Sequence, residues 1–170
     1  NGLPKYTFGF NFTLGYKGFD LSANFTGAAG FQIAQSYRDP SSSQANYSRR
    51  ILNRWTGEGT SNEIPRVTYG DVGNWLFSDL YLQDGDYIRL QNLTLGYDFK
   101  KLIAWKGLSK MRLYFQVQNL FTLTKYDGMD PEIGSFNGTD GNSSDSWVSG
   151  VDMGYYPHPR TFIVGLNLAF

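Results

Sequence analysis

The 170 residues hold a single histidine, His158, set between Pro157 and Pro159. A Ser-His-Asp hydrolase needs its imidazole beside an exposed serine, and no G-x-S-x-G turn accompanies this one. Asp84 and Asp86 could form a carboxylate couple for acid–base work, but they flank Gly85 ahead of a strand, where a turn is sufficient reason for all three. The oxygen-rich run Asn137-Gly138-Thr139-Asp140-Gly141-Asn142-Ser143-Ser144-Asp145 offers the ligand type that calcium takes, without the spacing of an EF-hand. Asp127, Asp130 and Glu132 carry the same suggestion, and in both places a solvated loop is the expected state, with no resident metal or cofactor. Binding is the better use of the aromatic side chains. Trp55, Trp75, Trp147, Tyr155 and Tyr156 fall in long polar stretches, and sugars or peptide side chains pack on such faces. The same rings could instead be buried among neighbouring loops. The chemistry on offer is that of a binding protein, not an enzyme.

Those side chains must be carried by strands. Twenty glycines and an aromatic content of 17% stand against 18% charged residues, a balance that favours strands and turns. Net charge is zero and cysteine is absent, so a nucleic-acid partner, a disulfide framework and a thiolate metal site are not expected. No apolar run approaches the roughly 20 residues of a membrane helix. From Tyr6 to Tyr16, however, Tyr6, Phe8, Phe10, Phe12, Leu14 and Tyr16 alternate with Thr7, Gly9, Asn11, Thr13 and Gly15. Period-two alternation makes a strand with two unlike faces, and eleven residues tilted at about 45° span roughly the 25 Å apolar band of an outer-membrane barrel. Tyrosines at both ends fit the two interfacial girdles.

Further strands are expected near 19–34, 87–99, 111–124 and 160–170, the first of them reversing at Lys17-Gly18 and running on through Phe31 and Ile33. The connections alternate short and long, and the long ones, 36–86 and 125–158, are expected as irregular extracellular loops. Both the first and the last strand would then run inward, so Asn1 would begin outside and Phe170 would end in the periplasm. The chain opens Asn1-Gly2-Leu3-Pro4 without methionine or signal. Five strands cannot close a barrel, and open edges in lipid leave backbone groups unpaired. The expectation is an all-β antiparallel transmembrane β-barrel fragment of about five strands, completed by the rest of the same polypeptide or by a separate chain.

Three stretches resemble the C-terminal signature of SusC/RagA-type TonB-dependent transporters. They are Asn53-Arg54-Trp55-Thr56 with Ile64-Pro65-Arg66-Val67; Ser78 to Tyr97, reading SDLYLQDGDYIRLQNLTLGY; and Gln118-Asn119-Leu120-Phe121-Thr122 with Asp130-Pro131-Glu132 and Tyr155-Tyr156-Pro157-His158-Pro159-Arg160. Residues 1–52 fit by pattern only. The resemblance implies a 22-stranded barrel in the bacterial outer membrane with an N-terminal plug that this chain lacks. It also implies energy from an inner-membrane TonB complex, a SusD-like lipoprotein as lid, and import of oligosaccharides or peptides. The final strand, with Phe162, Val164, Leu166, Leu168 and the terminal Phe170 on one face, resembles the assembly signal read by the outer-membrane insertion machinery. An outer-membrane protease or lipase barrel and a soluble carbohydrate-binding β-sandwich are the competing readings.

The face assignment is directly testable. Phe10→Arg should cost about 2–4 kcal/mol of barrel stability, as a charge placed against hydrocarbon, while Thr13→Arg on the opposite face should cost far less; denaturant titration of both variants in lipid vesicles would reveal equal penalties if the faces are misassigned.

Overall fold

The computed structural model describes residues 1–36, 49–67, 78–103, 107–133 and 149–170, leaving aside the side chains of Arg50 and Lys101. The oxygen-rich run at 137–145 lies outside them. Eight strands are present among the described residues: β1 (Tyr6–Tyr16), β2 (Phe19–Ala29), β3 (Gln32–Gln35), β4 (Leu82–Asp84), β5 (Tyr87–Asp98), β6 (Lys110–Thr124), β7 (Val151–Asp152) and β8 (Thr161–Ala169). The five long ones form one antiparallel sheet in the order β1-β2-β5-β6-β8, and the short ones a second sheet, β4-β3-β7. No described helix is long and apolar enough to cross a membrane, which says nothing about strands.

Local chemistry sets the first hairpin. Lys17 and Gly18 have φ of 48° and 97°, the paired positive values of a type I′ turn, whose twist matches that of the flanking strands. Tyr16 therefore pairs with Phe19, and the register runs unbroken to Tyr6 opposite Ala29. On the apolar face Phe8, Phe10 and Phe12 are 45%, 60% and 42% exposed. A β-sandwich would bury these rings beneath a second sheet, and among the described residues no layer covers them. The small sheet instead sits at one end of the large one, where Phe31 and Ile33 form a core with Ala28 and Tyr126, flanked by Tyr87 and Ile133.

That arrangement corrects the expected strand at 19–34. The chain leaves the large sheet after Ala29, because Gly30 adopts φ 78° and its N–H bonds the Asp86 carboxylate at 2.6 Å. Phe31 and Ile33 then belong to the small sheet and are buried, at 7% and 0% exposure. The long connections are not wholly irregular either. They supply β4, β7 and short 3₁₀ turns at Arg49–Asn53 and Asp79–Tyr81, and β7 lies parallel to β3 with Ala34 opposite Val151.

A bulge decides where charge goes. In the lower half of β5, Leu93, Leu95 and Tyr97 share the apolar face with Ala23, Leu21 and Phe19 of β2. Strict alternation would carry Gln91 and Arg89 onto that face too. The register shifts at this point, pairing Asn24 with Asn92 but Phe25 with Leu90, so that Gln91 is the extra residue of a β-bulge. β6 answers with Asn119 at φ 51°. Beyond the bulge Leu90 faces the apolar side with Phe25 and Phe121, while Arg89 pairs with Thr26 and Thr122 on the polar side.

Glycines on the same sheet make room for large neighbours. A Cβ at Gly96 would lie 2.5 Å from Asp20 Oδ1 and 2.6 Å from Arg112 Nε. The bare backbone of β5 thus lets Arg112 of β6 reach across it to Asp20 of β2, donating from Nε at 2.8 Å. Gly165 likewise accepts the Tyr114 ring, which a Cβ there would meet at 2.2 Å.

Deleting Gln91 should remove the bulge yet keep Leu90 on the apolar parity and Arg89 on the polar one, so the folded, membrane-inserted fraction should fall only modestly. Gln91→Ala, which keeps the residue count, should leave that fraction near normal by heat-modifiable gel mobility.

Candidate functional site

The end of the large sheet next to the small one gathers charge around Arg89, which is 2% exposed. Its Nε donates to Thr122 Oγ1 of β6 at 3.0 Å, its Nη1 to Glu132 Oε2 at 2.8 Å, and its Nη2 to Asp130 Oδ1. His158 Nδ1 lies 2.9 Å from Arg89 Nη1 and 3.0 Å from Asp130 Oδ2. It accepts from the guanidinium in one tautomer and donates to the carboxylate in the other. The His158 backbone N–H adds a bond to Asp130 Oδ2 at 3.1 Å.

The local sequence prepares each member. Asp130 accepts the Glu132 N–H at 2.9 Å, the bond of an Asx turn spanning Pro131. His158 precedes a proline, which disfavours helical backbone and holds it extended, and Asn119 at the bulge donates from Nδ2 to Pro159 O at 3.1 Å. One guanidinium therefore ties the segments on either side of the long connection after β6 to β5 itself. Burial alone would push the Asp130 carboxyl up. The Glu132 N–H, the His158 ring and backbone N–H, and the Arg89 charge outweigh it and hold the carboxyl below the usual aspartate range. Glu132 is different: its side chain is 46% exposed, so one positive and two negative groups leave an excess negative charge facing outward when His158 is neutral.

A second buried carboxylate orients the aromatic side. Asp152, at 0% exposure, accepts the Tyr126 hydroxyl on Oδ2 and the backbone N–H groups of Gly154 and Tyr155 on Oδ1, at 2.8 and 3.0 Å. Tyr155 is thereby set beside His158, with ring centroids 6.3 Å apart. Of the aromatic candidates, Tyr155 and Tyr156 are 40% and 82% exposed, and Tyr155 borders the Arg89 network at the His158 ring. Trp55, 39% exposed, is held in a separate loop by its N–H to Ile64 O at 2.8 Å. Among the described residues no ring contact joins it to the tyrosines. Trp75 and Trp147 lie outside the described residues. No group of three His, Cys, Asp or Glu side chains among the described residues is placed to hold a metal ion. Sequence reasoning passed over Arg89 and set His158 aside for want of a nucleophile. The available signal was two polar residues, Arg89 and Gln91, on the apolar parity of β5.

No protein-family model matches the chain. The TonB-dependent receptor P3 of Formosa agariphila is 37% identical over 98% of this chain, which covers 16% of that protein. The TonB-dependent receptor SusC of Bacteroides thetaiotaomicron is 31% identical over 91% of the chain and 14% of its own length. A structure of the RagAB peptide importer in its open-open state superposes on 99% of the chain and 17% of the matched chain, with 26% identity and a TM-score of 0.73. The match is to the barrel of SusC/RagA-type TonB-dependent receptors. The chain spans about a sixth of the curated relatives it matches, 16% of P3 and 14% of SusC. In a SusC/RagA-type barrel the exposed apolar face is the one that meets lipid, and the Arg89 network lies on the opposite, polar face.

Arg89→Met would leave Asp130 buried without its cation and should cost about 3–5 kcal/mol, seen as lost hydrogen-exchange protection over 126–133 and 155–160 while β1 and β2 stay protected. Because the folded-state value of Asp130 is lowered, its stabilisation should be present above about pH 4, the unfolded aspartate value, and disappear as pH falls through the lower folded value.

Proposed function

We propose that this chain forms part of the barrel wall of an outer-membrane importer, driven by an inner-membrane TonB complex. It works with a SusD-like surface lipoprotein as lid and takes up oligosaccharides or peptides. The carrying observation is the likeness of nearly the whole chain to SusC and to the RagAB peptide importer, joined to a sheet whose apolar face is open to its surroundings. The long connections and the Arg89 network lie at the extracellular end in this reading, and the short turns at 17–18 and around 99–108 lie at the periplasmic end. Tyr155 and Tyr156, with Trp55, Trp75 and Trp147, are the residues offered for substrate contact. The lining of exposed Phe162, Val164, Leu166, Leu168 and Phe170 serves both as lipid-facing wall and as the signal for barrel assembly.

A strain lacking the full-length gene should lose growth on one class of polymeric nutrient, glycan or peptide, and recover it with the intact gene; unchanged growth and uptake across both panels would overturn the reading. Removal of Phe170 should lower the level of barrel in the outer membrane more than Trp147→Ala does, measured by immunoblot of membrane fractions.

A further inference from the structure

The two short connections carry a charge that the rest of the chain does not. Residues 16–20 and 98–112 hold six lysine and arginine side chains against two aspartates, in a chain with fifteen basic and fifteen acidic residues. Both aspartates are engaged locally. Asp20 is paired with Arg112 across Gly96 on the polar face, and the Asp98 carboxylate accepts the Lys100 N–H at 3.0 Å. The end of the sheet with the short turns is therefore basic, and among the described residues no carboxylate pairs with Lys17.

Lys17 is held in place by its turn. Gly18 O accepts the Asp98 N–H at 2.8 Å, and a Cβ at Gly18 would stand 3.3 Å from the Tyr97 ring, so the turn is packed onto β5. The Lys17 ammonium lies 5.2 Å from the centroid of the Tyr16 ring. Tyr16 shares the parity of Phe8, Phe10 and Phe12 and is exposed as they are, which sets the cation on the apolar side of the wall. Behind it the rings continue, Phe19 against Tyr97 with centroids 4.4 Å apart and Tyr97 edge-on to Phe99 at 4.8 Å. An aromatic rim with a lysine at its outer edge has the build of a membrane interface, where rings lie at headgroup depth and an ammonium reaches past them to water.

The charge decides which lipid fits. A zwitterionic headgroup brings its own ammonium, which a surplus of lysine repels, whereas a headgroup of net negative charge is attracted by every cation of the rim. We infer that this rim binds an anionic phospholipid, its phosphate on the Lys17 ammonium and its acyl chains along Tyr16 and Phe19. The inference rests on the barrel-wall reading, which puts these turns in the periplasm, and adds that the leaflet beside them is selected by charge.

The full-length receptor, purified in neutral detergent and freed of lipid, would be offered phosphatidylglycerol and phosphatidylcholine in equal amounts, and its retained lipids read by native mass spectrometry. Phosphatidylglycerol should be retained in preference. Lys17→Gln should weaken one retained phosphatidylglycerol about fivefold, the effect of one lysine beside an anionic surface, and Lys17→Arg should preserve it. Lys125→Gln, just beyond the other end of β6, should leave the retained lipids unchanged. Equal retention of the two lipids by the unaltered receptor, no change in Lys17→Gln, or the same loss in Lys125→Gln would overturn the site. Displacement of phosphatidylglycerol by inorganic phosphate at matched ionic strength would do so as well, since the rim would then answer to the anion and not to the lipid. A separate measurement addresses the placement beneath it: Lys17→Cys in intact cells should resist a maleimide too large for porins and react once the outer membrane is permeabilised. Reaction in intact cells would remove the barrel-wall orientation itself, whereas a missing lipid preference would remove only the rim.

Discussion

A strand offers only alternate positions to each of its faces, and a guanidinium cannot be placed against hydrocarbon cheaply. In this sheet those two constraints collide at β5. Its lower half needs odd-numbered residues on the apolar side, and Arg89 is odd-numbered. One additional residue, Gln91, resolves the conflict by shifting the register against β2 between Asn24 and Phe25. Everything at the loop end follows from that step. Leu90 can close the apolar face, Arg89 can turn inward, and two segments that are distant in sequence can converge on it.

The convergence has a definite energetic character. A buried arginine is tolerable only with its hydrogen bonds satisfied, and here Thr122, Asp130, Glu132 and His158 satisfy them. Thr122 apart, the network draws on residues outside the large sheet. It positions the connections. Asp130 and His158 fix the approaches to the long segment between β6 and β8, while Asp152 fixes Tyr155 from the other side. Rigid anchoring of this kind lets exposed rings meet a ligand without first being ordered. At the opposite end the Asp20–Arg112 pair spans three strands over Gly96, so these two charges are balanced against each other.

Much of this was legible in the chain and some was not, for reasons that differ by residue. Period-two alternation in Tyr6–Tyr16 exposed the strand and its unlike faces, because each residue there obeys one rule. The break after Ala29 was hidden because Phe31 and Ile33 keep the parity of Phe25; only the left-handed Gly30 ends the strand, and glycine at that place reads equally as part of it. The short strands β4 and β7 could not be seen because two or three residues carry no period. Arg89 makes its side-chain contacts with residues 33 to 69 positions away, and they depend on a bulge that alternation by itself argues against. His158 looked idle from the sequence since its partners are a cation and a carboxylate rather than a nucleophile.

The ring of Tyr114 resting on the bare backbone of Gly165 carries a consequence for descent. Neither position can vary by itself: a side chain at 165 evicts the ring, and a small residue at 114 leaves an empty slot beside the strand. Over generations the two sites are expected to change as a couple or stay put, so comparison of many related sequences would find this pair linked.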